Sequence, residues 1–135
     1  MALITWSSKF SVGAQALDDQ HKALLRVLND FHAASMRGKA REVAGPMMRQ
    51  IVQLANEHFL TEQRMMESTK YPDLAQHRAK HEELSAKLAE YVFRHENGDT
   101  TMYGQLLYFM RDWLSKHMQT EDRAYASWLA SHVIR

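Results

Sequence analysis

The chain has 135 residues, enough for one compact domain and too few for a multidomain enzyme. Lys and Arg total 17 against 16 Asp and Glu, a net charge of +1 with no basic run, so the stripe that phosphate-backbone binding needs is absent and nucleic acid is not an expected partner. There is no cysteine, which excludes disulfides, thiolate zinc sites, iron–sulfur ligation and thiol nucleophiles, and leaves nitrogen and oxygen donors for any metal. The start, Met1-Ala2-Leu3-Ile4-Thr5-Trp6-Ser7-Ser8-Lys9-Phe10, lacks the basic stretch and apolar run of a secretory signal, so the cytoplasm is the expected compartment. No apolar run approaches the ~18 residues of a membrane-spanning helix, and no membrane association is expected.

Apolar residues recur at steps of three and four throughout, with no period-two alternation, which predicts an all-α chain. Residues 1–17, with Trp6, Phe10, Val12 and Gly13, read as an N-terminal arm packed across the rest. The first helix is expected over 19–37 with Leu24, Leu25, Leu28 and Phe31 inward, closed by Gly38. The second is expected over 41–67 with Met47, Ile51, Leu54 and Met65 inward; Pro46 either kinks it or marks its first turn. The third is expected over 73–96 with Leu74, Leu84, Leu88 and Tyr91 inward, begun by Pro72 and Asp73. The fourth starts after an N-cap at Asp99 or Thr100 and carries Leu106, Met110, Trp113 and Leu114. Short loops make neighbours antiparallel, giving an up-down-up-down four-helix bundle over 18–122, with 123–135 as a C-terminal extension of a single domain.

Polar residues interrupt these stripes in a regular way. His77 and His81 continue Leu74 toward Leu84, His58 and Glu62 continue Ile51 and Leu54, His117 follows Met110 and Trp113, and His21 precedes Leu24. Their heights agree when counted from the turns: His21 lies 17 residues before Gly38 and His58 20 after, while His81 lies 17 before Gly98 and His117 19 after. At about 1.5 Å of rise per residue these offsets are a few ångströms, so the groups converge on one level. Asp122, five residues after His117, would be turned by roughly 140° on an ideal helix. It reaches the site only if a π-bulge or a break falls between 117 and 123.

One inward histidine is ordinarily a hydrogen-bonded core residue. Five at one level with two carboxylates, and no Lys or Arg on the stripe, cost more than a domain stable by about 5–15 kcal/mol can carry without a bound cation. His95 at a helix end, His132 near the C-terminus and His32, roughly 16 Å along the axis from His21, are left outside the site. The nine methionines read as core filler. Seven donors exceed one ion and suit two, bridged by the carboxylates. Sulfur-free nitrogen and oxygen ligation favours iron, then manganese, then zinc.

Trp6, Phe10-Ser11-Val12-Gly13, Asp19-Gln20-His21, His58-Phe59-Leu60-Thr61-Glu62, His77-Arg78-Ala79-Lys80-His81 and Trp113-Leu114-Ser115-Lys116-His117 with Asp122 resemble, in order and spacing, the hemerythrin family in its single-domain bacterial form, bacteriohemerythrin. The resemblance covers nearly the whole chain. It implies two iron ions with a bridging oxo or hydroxo group, His77, His81 and His117 on one iron, His21 and His58 on the other, and Glu62 and Asp122 bridging. With octahedral irons this leaves one position open on the iron of His21 and His58, where dioxygen binds reversibly in this family and takes two electrons from the pair. Leu114, Trp113, Leu24 and Leu25 fall where the walls of a dry dioxygen pocket would stand. Gln63, where many relatives have a second glutamate, and Ala14, smaller than the usual branched residue, depart from the pattern and are expected to alter arm packing and pocket access.

The leading expectation is therefore reversible dioxygen binding for storage, delivery or scavenging, by a binding protein and not an enzyme. The alternatives are a di-iron enzyme acting on peroxide or nitric oxide, and an oxygen or redox sensor module, which would need an output domain. A monomer is expected, for want of a surplus apolar stripe, with an unidentified redox or oxygen-receiving partner.

Overall fold

The computed structural model describes residues 2–132. After a 3₁₀ turn at Ser8–Phe10 come α1 (Gln15–Met36), α2 (Ala40–Ser68), α3 (Leu74–Glu96), α4 (Tyr103–Gln119) and α5 (Glu121–His132), with no strand among the described residues. α2 packs on α1 and α3, and α4 on α3 and α1, which is the cyclic neighbour pattern of an antiparallel four-helix bundle.

The turns explain the antiparallel return. Gly38 (φ 72°) and Gly98 (φ 86°) occupy left-handed positions after α1 and α3. The next amide closes each helix end, Lys39 N–H on the Ala34 carbonyl at 2.8 Å and Asp99 N–H on the Arg94 carbonyl at 3.0 Å. α2 ends in the same motif, with Tyr71 N–H on the Met66 carbonyl at 2.9 Å, but its left-handed residue is Lys70 (φ 58°). A side chain there bears a cost of roughly 1 kcal/mol that glycine avoids.

Several boundaries differ from the sequence reading. α1 begins at Gln15 and not near 19, because Asp18 accepts hydrogen bonds from the Ser11 hydroxyl (2.6 Å) and the Val12 N–H (2.9 Å), and Leu17 is already in the core. The arm accordingly ends at Ala14 and not at 17. Pro46 is the seventh residue of α2, so it lies inside the helix and not in its first turn, where it denies Glu42 the usual i+4 donor. α4 starts only at Tyr103, since the Asp99 carboxylate is engaged with the Thr101 N–H (2.8 Å), the Thr101 hydroxyl (2.7 Å) and Arg94 (2.9 Å) instead of capping a helix. The buried stripe of α2 runs through Ala44, Met48, Ile51, Ala55, His58, Phe59, Glu62 and Met66; Met47, Leu54 and Met65 are half-buried. Ile51, His58 and Glu62 stand as read, while the other inward positions fall one residue later, at Met48, Ala55 and Met66, a difference that the Met47-Met48 and Met65-Met66 pairs conceal. Leu74 and Trp113 are likewise half-buried.

Two apolar clusters divide the interior. The larger gathers Leu24, Leu28, Phe31, Ile51, Ala55, Leu84, Leu88, Leu106, Met110 and Leu114; the smaller gathers Val12, Leu17, Met66, Tyr71 and Tyr125. The seven inward polar residues lie between them along the chain: Leu17, His21, Leu24 on α1, and Leu74, His77, His81, Leu84 through α3. The arm is clamped where the Ile4 N–H donates to Asn29 Oδ1 (3.0 Å) and Asn29 Nδ2 donates to the Ile4 carbonyl (2.8 Å). Asn29→Ala removes both bonds and is expected to lower unfolding stability by about 1–3 kcal/mol, read as a fall in denaturant midpoint at unchanged slope.

Candidate metal centre

His21, His58, Glu62, His77, His81, His117 and Asp122 are all buried, Glu62 and Asp122 at 0% exposure. His21 comes from α1, His58 and Glu62 from α2, His77 and His81 from α3, His117 from α4, and Asp122 from the first turn of α5. The last placement depends on a break in the chain direction: Thr120, at φ −113° and ψ −80°, separates α4 from α5. That interruption removes the rotation that a continuous helix would impose and brings Asp122 onto the His117 side, as the spacing requires.

The seven form two overlapping groups. Glu62, His77, His81, His117 and Asp122 present donor atoms all within 4.8 Å of one another, and so do His21, His58, Glu62 and Asp122. The two carboxylates belong to both, and each divides its oxygens between them. Glu62 Oε1 lies 2.5 Å from His77 Nε2 and 3.1 Å from His81 Nε2, while Oε2 lies 3.4 Å from His58 Nε2. Asp122 Oδ1 lies 2.8 Å from His77 Nε2 and 3.0 Å from His117 Nε2, while Oδ2 lies 3.3 Å from His21 Nε2.

These atoms are close but not aligned with one another. Nε2 of His58, His77, His81 and His117 and all four carboxylate oxygens are buried without a hydrogen-bond partner. Buried polar atoms are normally satisfied, so eight unsatisfied ones converging on one volume need an explanation, and a bound cation supplies it. Electrostatics agree. For Glu62, burial and the Asp122 charge push the carboxyl up, yet the imidazoles of His58, His77 and His81 outweigh them and hold it well below the usual carboxylate range. Burial likewise opposes ionisation of Asp122, and His117, His21 and His77 overcome it. Burial pulls His77 down, but Asp122 and Glu62 push it up to about 9, whereas burial dominates at His81 and pushes it down to about 4. His117 is raised, its burial outweighed by Asp122. Two ionised carboxylates in an interior without Lys or Arg require positive charge, which protons on imidazole or metal ions can provide.

The outward ring nitrogens are anchored by residues that sequence reasoning did not assign to the site. His58 Nδ1 lies 3.0 Å from Gln20 Oε1, and Gln20 Nε2 donates to the Thr61 hydroxyl at 3.1 Å. The Gln63 amide lies 3.0 Å from His81 Nδ1, and Glu121 Oε1 3.3 Å from His117 Nδ1. An Nδ1–H donated to the Gln20 or Glu121 oxygen fixes the tautomer that leaves the Nε2 lone pair pointing inward, whereas the Gln63 Nε2 amide donates to His81 Nδ1 and holds that ring in place. Gln63 therefore contacts a candidate ligand, while Ala14, the residue preceding α1, packs against the cluster that holds Val12 of the arm. The signals existed: Gln20 adjoins His21, and Glu121 stands four residues after His117 on what would be one helix face. Phe59 stacks on His81 (4.1 Å, 12°) and Trp113 on His117 (4.4 Å, 25°). Trp113 thus covers the three-histidine half, while Leu24, Leu25 and Leu114 are buried together in the larger apolar cluster.

Five helices, α1 to α5, aiming five imidazoles and two shared carboxylates at one level define a cation-binding helical bundle. The model of the hemerythrin HHE cation-binding domain matches residues 12–129, and the chain belongs to the hemerythrin family. It is similar to the bacteriohemerythrin of Stenotrophomonas maltophilia (strain R551-3), 30% identical over 133 residues that cover 98% of this chain and 86% of the relative. It is also similar to the bacteriohemerythrin of Methylococcus capsulatus (Bath), 29% identical over 97% of this chain and all of the relative, and to myohemerythrin-1 of Phascolopsis gouldii, 27% identical over 89% of each. A crystal structure of wild-type hemerythrin superposes with a TM-score of 0.88 at 28% identity, covering 96% of this chain and 99% of that one. No helix among the described residues is long and apolar enough to cross a membrane.

Proposed function

We propose that the chain binds dioxygen reversibly at a di-iron centre, to store, deliver or scavenge the gas, as a binding protein and not an enzyme. His77, His81 and His117 would hold one iron and His21 and His58 the other, with Glu62 and Asp122 shared between the two. The observation that carries this reading is the division of each carboxylate's two oxygens between the two histidine groups. When bound, the iron pair supplies the electrons and the vacant position that dioxygen requires.

The chain's own residues supply the rest. Gln20 and Glu121 hold the imidazoles of His58 and His117 in the ligating tautomer, and the Gln63 amide orients the ring of His81. Three histidines on one side and two on the other make the halves unequal, and the His21 and His58 half, with one donor fewer, would be the one to take the gas. Leu24, Leu25 and Leu114, at 1–3% exposure, exclude water and offer no proton, so nothing beside the gas promotes O–O cleavage.

The test is to reduce the iron-loaded protein, admit oxygen, then remove it. A charge-transfer absorption that appears and vanishes over repeated cycles supports carriage. Rapid irreversible oxidation with consumption of peroxide would assign the centre to catalysis instead.

A further inference from the structure

A series of aromatic rings runs from the metal cluster to the surface through the segment read from sequence as a mere extension. The ring of His77, the imidazole nearest both carboxylates, lies 6.5 Å from that of Tyr125, edge-on. Tyr125 lies 4.9 Å from Tyr71, and Tyr71 5.5 Å from Trp128. Trp128 stacks on the exposed His132 at 4.3 Å and 6°. Exposure rises along the way, from 0% at Tyr125 to 7% at Tyr71 and a half-buried Trp128.

Closing the end of the bundle does not by itself require these residue types. A phenylalanine would fill the place of Tyr125 without a hydroxyl to satisfy, which here is met by Thr69 Oγ1 at 3.3 Å. Tyrosine and tryptophan differ from phenylalanine in one relevant property: each can lose a single electron to a strong oxidant. Electron transfer weakens exponentially with distance, so a few short steps between such rings outrun one long step through aliphatic packing.

We propose that Tyr125, Tyr71 and Trp128 form an exit route for oxidising equivalents, protecting the centre when it meets hydrogen peroxide. The proposal rests on the di-iron reading above. Peroxide takes up two electrons and two protons, its O–O bond breaks, and it leaves as two waters. The electrons arrive singly: Tyr125 supplies the centre, Tyr71 refills Tyr125, and Trp128 refills Tyr71. The Tyr125 proton shifts toward Thr69 Oγ1 as the ring is oxidised and returns when it is refilled. At the surface, two molecules of a small thiol reduce Trp128 in turn, release the two protons and pair as a disulfide. Without the route, the equivalents fall on what surrounds the site, including the buried Met66 and Met118, which oxidise to sulfoxides. Trp113, stacked on His117, is the competing first stop, but among the described residues it adjoins no further aromatic ring.

The test treats iron-loaded protein with hydrogen peroxide and a radical-trapping nitroso compound, then maps adducts and methionine oxidation by mass spectrometry, with iron measured in the same sample. Adducts are expected at Tyr71 and Trp128, absent from metal-free protein and reduced several-fold at Trp128 in Tyr125→Phe and in Tyr71→Phe, with a matching rise in oxidation of Met66 and Met118. Both variants keep the ring and its packing, and agreement between them separates a broken route from a local disturbance. Unchanged Trp128 adducts in either variant, equal yields from metal-free protein, or adducts confined to Trp113 would overturn the route while leaving the metal reading intact. A chain that takes up no iron overturns the metal reading, and the route falls with it.

Discussion

Glu62→Gln is expected to empty both halves of the centre. The substitution keeps the size of the side chain but removes the charge that both histidine groups share, and an amide offers one oxygen where the carboxylate offers Oε1 to His77 and His81 and Oε2 to His58. Loss of an outer partner alone costs about 10–100-fold in metal affinity, so loss of a shared ligand exceeds that. Iron per chain after dialysis against a chelator should fall from about two to well under one, with a lowered Tm, since ligand binding to the native state alone stabilises it. His77→Ala is the comparison: it removes a ligand from one group only and should deplete that half first. Full iron retention in Glu62→Gln would show that the carboxylate does not bridge.

Leu114→Asp is expected to convert reversible binding into rapid autoxidation. Leu114 is 2% exposed within the apolar cluster that includes Leu24 and Leu25, one helical turn before His117. A carboxyl buried there remains protonated, because ionisation in apolar surroundings is unfavourable, and so becomes an acid beside the gas. A positioned proton donor contributes about 10²–10⁴ in rate, and an acceleration on the order of 100-fold is expected in the decay of the oxygenated spectrum. The substitution also costs roughly 3–5 kcal/mol of stability through lost apolar packing and polar burial. Leu114→Met, a volume-conserving change costing under about 1.5 kcal/mol, separates the two effects, since it should leave autoxidation near its original rate. An unchanged rate in Leu114→Asp would remove Leu114 from the pocket wall.

The donor set was legible because burial of a polar residue is an anomaly that periodicity exposes. His77 and His81 stand on the stripe between Leu74 and Leu84, and counting residues from the turns places His21, His58 and His117 at their height. Asp122 was legible through its misfit, since a five-residue offset can face inward only if the helix is interrupted, and Thr120 is that interruption. Less was visible where adjacent residues are chemically alike. Met47 and Met48 differ by a rotation of about 100° that no composition rule resolves, and the start of α4 depended on whether the Asp99 side chain caps a helix or a turn.

The sequence by itself determined four amphipathic helices, their antiparallel order and which seven polar side chains turn inward, because all of these follow from helical period and loop length along the chain. Only the tertiary structure decided which oxygen of each carboxylate faces which histidines, that Gln20, Gln63 and Glu121 support the imidazoles, and that Tyr125, Tyr71 and Trp128 adjoin one another. Those relations join residues on different helices, and their side-chain torsions are fixed by packing across the bundle and not by anything repeated along one strand of sequence.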